Sequence, residues 1–508
     1  MEASTATAPP AAADAALPRR TVLALAALGL AVFLIANDIT SLTVALPTIE
    51  RDFGADVGTV QWVANAYTLV FGVLIVTGGR LSDIFGRRRM FFAGTVIFAG
   101  FSVLGALAPS APVLIGARAA MAVGAALIWP AVVGILFSLL PAAKAGIAGG
   151  LLLGVSGVGN ACGPLIGGLL TDAASWRWIL VLNIPIALAA ALVVRAEVAP
   201  EEPADRREHL DWAGVALLSL GLVGVLVALD ESSTWGWGDP KTIALLALGA
   251  VALVAFVVAQ KRLGERALVP RDVLANRVFG AACLTTLLAS GTWFALLLYG
   301  PQFMQKVLGF SALGSGVGFL PLMLVYTAAS FAAGPLYNRL GGRALLLIGA
   351  ACLAFGALAL SFLGTGSPYA ATLPGFVVLG IGVGFFYSTL TNLAITALDQ
   401  SRASVGGGLL FMFQLVGGAI GVVLTTTVFF GVGGDLAGAT SAGGLPAAAK
   451  QAFVEGFHAG LLVDAALGFL ALAIALLVVR GPGSRALNDP DDAVDLRSGG
   501  ERATARTN

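Results

Sequence analysis

Charged side chains are scarce in this sequence: Asp, Glu, Lys and Arg make up 11% of 508 residues, against about 25% in soluble globular proteins. With 58% hydrophobic residues, too few polar groups remain to cover a water-facing surface, which excludes a soluble globular protein. Histidine is nearly absent: His209 and His458 both fall near loops and lack neighbours suited to metal or nucleophile chemistry. The three cysteines, Cys162, Cys283 and Cys352, sit inside apolar runs without metal-ligand spacing, so they read as small buried hydrophobes. There is no G-x-x-x-x-G-K-[ST] loop, which argues against ATP hydrolysis. A net charge of +1 gives no basic field for nucleic acid. Nothing here reads as an enzyme, and no cofactor or metal is expected.

What the chain does have is apolar runs of about 20 residues or more, the length that crosses a bilayer as a helix. The fold class expected is an all-α polytopic membrane protein. Fourteen spans are read, at 21–46, 61–80, 90–108, 112–139, 146–170, 178–196, 212–230, 242–260, 278–302, 313–337, 344–364, 371–397, 404–430 and 458–480. The run after Arg19 and Arg20 is too long for a signal peptide and is read as a retained first helix.

The distribution of positive charge supports that count. Of 29 Lys and Arg, five (Arg51, Arg177, Lys241, Lys306 and Lys450) fall in outer loops if both termini are cytoplasmic. Arg118 lies inside a span, and the other 23 fall on the inner side. One helix more or fewer would reverse every later loop. The chain is therefore placed in the cytoplasmic membrane with both ends inside, the bilayer itself being its main partner. Residues 1–20 and 481–508 are low in complexity or polar and read as disordered ends.

An internal repeat divides the spans. "GRLSDIFGRRR" (79–89) and "GPLYNRLGGRA" (334–344) align at a constant offset of 255, with Gly79/Gly334, Leu81/Leu336, Gly86/Gly341 and Arg88/Arg343 in register. Such duplication is a known transporter architecture with a substrate site between the halves. The expected units are a six-helix bundle at 21–196, linkers with two inserted helices at 197–277 and a second six-helix bundle at 278–480.

Three features carry chemistry. First, "GGLLLGVSGVGNACGPLIGGLL" (149–170) is rich in glycine although it must be helical. Small residues four apart let helices approach closely in lipid. Gly159, Gly163 and Gly167 fall on one face, Gly150, Gly154, Gly157 and Gly168 on roughly the opposite one, and Pro164 is placed to bend the helix. Second, Asp38 is the acid well inside the first span, and intramembrane acids mark ion or substrate pathways. By helix rise it lies at about the depth of Arg118 on the fourth span. Loss of an arginine contact, or a drier setting, raises a carboxyl's proton affinity; Asp38 and Arg118 are thus the candidates for proton coupling. Asp464, six residues into the last expected span, reads as a cavity-edge or interfacial carboxylate in preference to a second proton site. Third, polar stripes mark candidate cavity walls: Gln61, Asn65 and Thr68 on the second helix, and Asn392 on the twelfth. Trp129, Tyr299, Tyr387 and Gln414 add aromatic and polar surface.

On these residues the chain resembles the major facilitator superfamily, specifically its fourteen-span drug:proton antiporter branch, over nearly all of residues 20–480. "GRLSDIFGRRR" is similar to the inner-gate signature G-x-L-x-D-x-x-G-R-[RK], which implies gate roles for Gly79, Asp83, Gly86, Arg87 and Arg88. The glycine-rich segment matches the antiporter signature G-x8-G-x3-G-P-x2-G-G at Gly150, Gly159, Gly163, Pro164, Gly167 and Gly168. "NDITSLTVALP" (37–47) and "SWRWILVLNIPIAL" (175–188) resemble segments of the same branch. The fourth-helix signature R-x-x-Q-G-x-G-x-A keeps Arg118, Gly124 and Ala126 but has Met121 and Ala122 for Gln and Gly. The resemblance implies a monomeric, proton-driven exporter of hydrophobic or cationic amphipathic drugs. Export of an endogenous lipid, siderophore or antibiotic is the alternative, and a non-transporting membrane sensor or scaffold a second.

Overall fold

In lipid every backbone N–H and C=O must find its partner within the protein, so apolar runs of this length become helices. The computed structural model describes residues 17–55, 57–140, 145–200, 210–264, 267–310, 312–433 and 446–480. The expected disordered ends therefore lie, but for a few residues, outside the described residues. Among the latter no strand occurs, and fourteen helical stretches are long and apolar enough to cross a membrane.

The helices are α1 (Arg19–Phe53), α2 (Val57–Phe85), α3 (Arg87–Ala106), α4 (Ala111–Leu139), α5 (Ala145–Ala173), α6 (Arg177–Glu197), α7 (Trp212–Trp235) and α8 (Pro240–Leu263). They continue with the one-turn α9 (Arg271–Ala275), α10 (Arg277–Lys306), α11 (Ala312–Leu360), α12 (Leu373–Thr396), α13 (Ala403–Gly433) and α14 (Ala447–Arg480). α11 holds two spans, Gly314–Tyr337 and Arg339–Leu360, joined across a non-helical Gly341.

Within the first six helices α1 packs on α5 and α6, α4 on α2 and α3, and α3 on α6. Within the last group α10, α13 and α14 pack on one another, and α11 on α12 and α14. The two groups meet where α5 lies on α11 and α12, and where α13 lies on α2 and α4. α7 and α8 pair with each other, and α7 touches both α2 and α13.

Two helix limits depart most from the sequence expectation. α1 continues past Leu46 to Phe53, and α14 begins at Ala447 rather than near 458. Lys450, Glu455 and His458 interrupt the apolar run, but a helix tolerates charge near its end. Asp464 consequently sits seventeen residues into α14 and is wholly buried, not at an interface.

The repeat shows at the backbone. Gly86, between α2 and α3, has φ 96°, and its aligned partner Gly341 has φ 78°. With ψ at 131° and 149°, both lie in the extended positive-φ region that is nearly confined to glycine, where an L side chain costs on the order of 1–3 kcal/mol. Gly86→Ala and Gly341→Ala are each expected to lower stability by about that amount, read as earlier thermal unfolding of the purified protein.

Candidate functional site

The centre of the first six helices is an ion pair sealed from solvent. Arg118 Nη1 on α4 stands 2.5 Å from Asp38 Oδ2 on α1, with side-chain exposures of 1% and 0%. Asn183 Nδ2 on α6 donates to the other carboxylate oxygen at 2.7 Å and reaches Ser102 Oγ on α3 at 3.2 Å. Arg118 Nε donates to the carbonyl of Val63 on α2 at 3.2 Å. Five helices thus converge on one carboxylate, and each of its oxygens is hydrogen-bonded, which is what a buried charge requires. The side chains of Asn37, Ser41 and Tyr67 are buried close by with polar atoms that have no protein partner.

A chain of aromatic rings leads from the ion pair. The Arg118 guanidinium lies 4.2 Å from the Tyr67 ring centroid, a cation–π contact. Tyr67 neighbours Phe71, which contacts Trp129 and Phe411; those two stand 4.5 Å apart. Trp129 and Phe411 line a narrow pocket between the two groups of helices. α4 and α5 form one wall with Trp129, Val133, Leu152 and Leu153; α10, α12 and α13 form the other with Thr286, Tyr387, Thr391, Leu410, Phe411 and Gln414. No lining residue is charged.

The expected cavity residues divide here. Trp129, Tyr387 and Gln414 line the pocket. The other five do not. Gln61 and Thr68 are exposed on α2, and Asn65 donates to Asp230 on α7 at 2.9 Å. Tyr299 donates to Thr426 at 2.7 Å and stacks on Phe429, tying α10 to α13. Asn392 accepts the Gly149 N–H at 3.0 Å, holding α12 against α5. A polar stripe identifies a helix face but not the neighbour it meets.

The glycine-rich helix α5 is smooth on two sides. A Cβ at Gly159 would stand 2.8 Å from Ala36 Cβ, at Gly163 1.9 Å from Thr40 Oγ1, and at Gly167 2.1 Å from Ser41 O. These are α1 residues flanking Asp38, so the three glycines set the position of the acid. Gly150, Gly154 and Gly157 instead meet Ser330, Phe331, Tyr326 and Thr327 of α11 across the seam. Gly168 departs from expectation: its nearest neighbour is Val44 on α1, at 3.9 Å. Pro164 lies inside α5, whose helical assignment is unbroken from Ala145 to Ala173.

The α2–α3 loop bridges the two helix groups at one end. Gly79 packs against Ser404 and Val405, where a Cβ would stand 2.7 Å from Ser404 O. Asp83 Oδ2 accepts the Val405 N–H at 3.0 Å in the first turn of α13, where the helix dipole favours an anion. Arg87 donates to Gly134 O at 2.9 Å and to Gln400 O. Arg88 stays within the first group, donating to Arg195 O on α6 at 3.0 Å. This end is closed.

At the opposite end Arg177 Nη1 pairs with Asp52 at 2.6 Å, Trp176 Nε1 donates to the same oxygen at 3.1 Å, and Arg177 donates to Ala108 O. The arginine bond, then the tryptophan bond, hold the Asp52 carboxyl below its usual 3.8 against the opposing effect of burial. A lowered carboxyl pKa adds stability above the unfolded-state value and loses it as pH falls through the folded-state value. Both side chains are about a third or more exposed, so the gain is under about 1 kcal/mol. Asp52→Asn should therefore melt slightly earlier than the parent at neutral pH, the gap closing below about pH 4.

The Major Facilitator Superfamily profile matches residues 28–422. The puromycin resistance protein pur8 of Streptomyces alboniger is 36% identical over 452 residues, covering 87% of this chain and 88% of that protein. The cephamycin export protein CmcT of Amycolatopsis lactamdurans is 35% identical over 404 residues, covering 78% and 82%. Among solved structures, the human organic anion transporter MFSD10 (TETRAN) superposes with a TM-score of 0.64 at 13% identity, covering 90% of this chain and 100% of that one; at that identity the likeness is one of fold.

Proposed function

The chain belongs to the Major Facilitator Superfamily, a membrane transporter and not an enzyme, and on that premise we propose that it exports hydrophobic or cationic amphipathic compounds in exchange for protons. The observation that carries this reading is the sealed Asp38–Arg118–Asn183 cluster, joined by aromatic rings to an uncharged pocket between the two helix groups. In this state, closed at the arginine-rich end, Arg118 and Asn183 each hold one oxygen of the Asp38 carboxyl. When the helix groups rock and the arginine contact lengthens, the carboxyl gains proton affinity. The buried, unpartnered groups of Asn37, Ser41 and Tyr67 are the polar stepping points a proton needs. The proton changes the charge beside Tyr67 and Phe71, and so alters the wall against which cargo sits. With no charge on the pocket lining, cargo is held by burial and by π faces.

By the distribution of lysine and arginine, the closed end is cytoplasmic, both termini are inside and the bilayer is the cell membrane. The first six and last six helices are the two rocking units, with α7 and α8 inserted between them. The chain works as a monomer.

The test is movement of a dye panel, including ethidium, in inverted vesicles with and without an imposed pH gradient. Gradient-dependent dye accumulation is expected. Dye movement that ignores the gradient would overturn proton coupling. The similarity to a cephamycin export protein favours a second reading, export of an endogenous antibiotic, and transport of no dye in the panel would select it.

A further inference from the structure

The last six helices contain an acid that the mechanism above does not use. Asp464 on α14 is 0% exposed. Thr425 on α13 donates to its Oδ1 at 2.8 Å, Thr292 on α10 donates to its backbone carbonyl at 2.7 Å, and Oδ2 has no partner. The packing around it is glycine-tight: a Cβ at Gly421 would stand 2.0 Å from Gly291 Cα, and one at Gly460 2.8 Å from Thr425 Cγ2.

No cation faces this carboxyl among the described residues. α13 has no charged residue from Ala403 to Gly433. On α10 the charges are Arg277 and Lys306 at its two ends, the nearer fourteen residues from Thr292, about 21 Å along the axis. The second span of α11 has Arg339 and Arg343 at its start. Lys450, Glu455, His458 and Arg480 on α14 itself lie six or more residues away. Tyr299, seven residues past Thr292 on α10, gives its hydroxyl proton to Thr426. An ionised carboxylate with one neutral donor and no counter-charge is too costly in such a place; the group takes a proton instead.

The repeat gives this acid its context. The offset of 255 that aligns the two loops carries Asp38 to Trp293, beside Thr292. α1 is joined to α6 by the Asp38–Asn183 bond, and α10 to α14 by the Thr292–Asp464 bond. Each helix group thus has a buried acid where its first and last helices meet, on the first helix in one group and on the last in the other. Asp38 has an arginine beside it, whereas Asp464 has none among the described residues. On the pocket side α10 presents Ser290, hydrogen-bonded to Tyr387 at 3.0 Å, so one helix touches both acid and pocket.

We propose that Asp464 is a second proton-exchanging site, loaded in this closed state, which takes its proton from one aqueous phase and releases it to the other during transport. This rests on the proton-coupled reading above. The test is reaction of the full-length protein in membrane vesicles with dicyclohexylcarbodiimide, which modifies protonated buried carboxyls, with the adducts mapped by mass spectrometry. An adduct at Asp464 and not at Asp38 is expected, its rate falling roughly tenfold per pH unit above the carboxyl's own pKa. Asp464→Asn copies the neutral form and keeps an acceptor for Thr425. It should retain the parent's yield and melting temperature but lose gradient-driven dye movement. Absence of the adduct, a rate that ignores pH, or unchanged transport by Asp464→Asn overturns the proposal. If the parent's transport ignores the gradient while the adduct keeps its pH dependence, the coupling reading falls and the proton site stands.

Discussion

Asp38→Asn is expected to reduce pH-gradient-driven export to the level of membranes without the protein. Asparagine has the size of the protonated acid and keeps an acceptor for Asn183, but it cannot cycle between charge states. Stability should fall as well. Arg118 is 1% exposed, and removing its anion leaves a buried charge uncompensated, a loss on the order of 3–5 kcal/mol. Val63 O and the Tyr67 ring remain as partners but supply no negative charge. The double variant Asp38→Asn/Arg118→Gln separates the two effects: it should recover most of the melting temperature while gradient-driven export stays absent. Gradient-driven export in either variant would remove Asp38 from the mechanism.

Gly167→Ala and Gly168→Ala should behave very differently, although the two glycines are adjacent in one signature. A methyl at Gly167 would stand 2.1 Å from the backbone oxygen of Ser41. No flexible side chain can give way there, so α1 must move by about an ångström. Overpacking of this kind costs roughly 1–3 kcal/mol. The displaced segment is three residues from Asp38, so the Arg118 contact is disturbed too, and transport should fall with stability. A methyl at Gly168 meets only Val44 Cγ1 at 3.9 Å, ordinary van der Waals contact, and should leave melting temperature and export unchanged. Equal impairment of the two variants would show that the α1–α5 contact is not what the signature serves.

The reach of sequence reasoning differs from residue to residue. Asp38 and Arg118 were legible because an ionisable side chain in an apolar run has few tolerable positions, and helix rise put both at one depth. Asn183 in "SWRWILVLNIPIAL", Ser102, Tyr67 and Phe411 are not singled out by the sequence. A neutral amide, hydroxyl or ring leaves no such mark, since each is equally at home against any neighbour. Asp464 was misplaced in depth because charge near the start of α14 hid the helix limit. The stripe on α2 does not face the pocket: Gln61 and Thr68 are exposed, and Asn65 meets an inserted helix.

What the amino-acid sequence determined by itself was the class of molecule, the number of spans and the presence of a carboxylate that must be compensated. These follow from local rules: hydrocarbon forbids unpaired backbone, and charge resists burial. Only the tertiary structure decided which helices share Asp38, which face of α5 serves α1 and which the seam, and that Asp464 has no cation beside it among the described residues. Those outcomes depend on how each helix is rotated against its neighbours, a choice made by the summed fit of many weak contacts that no single stretch of chain records.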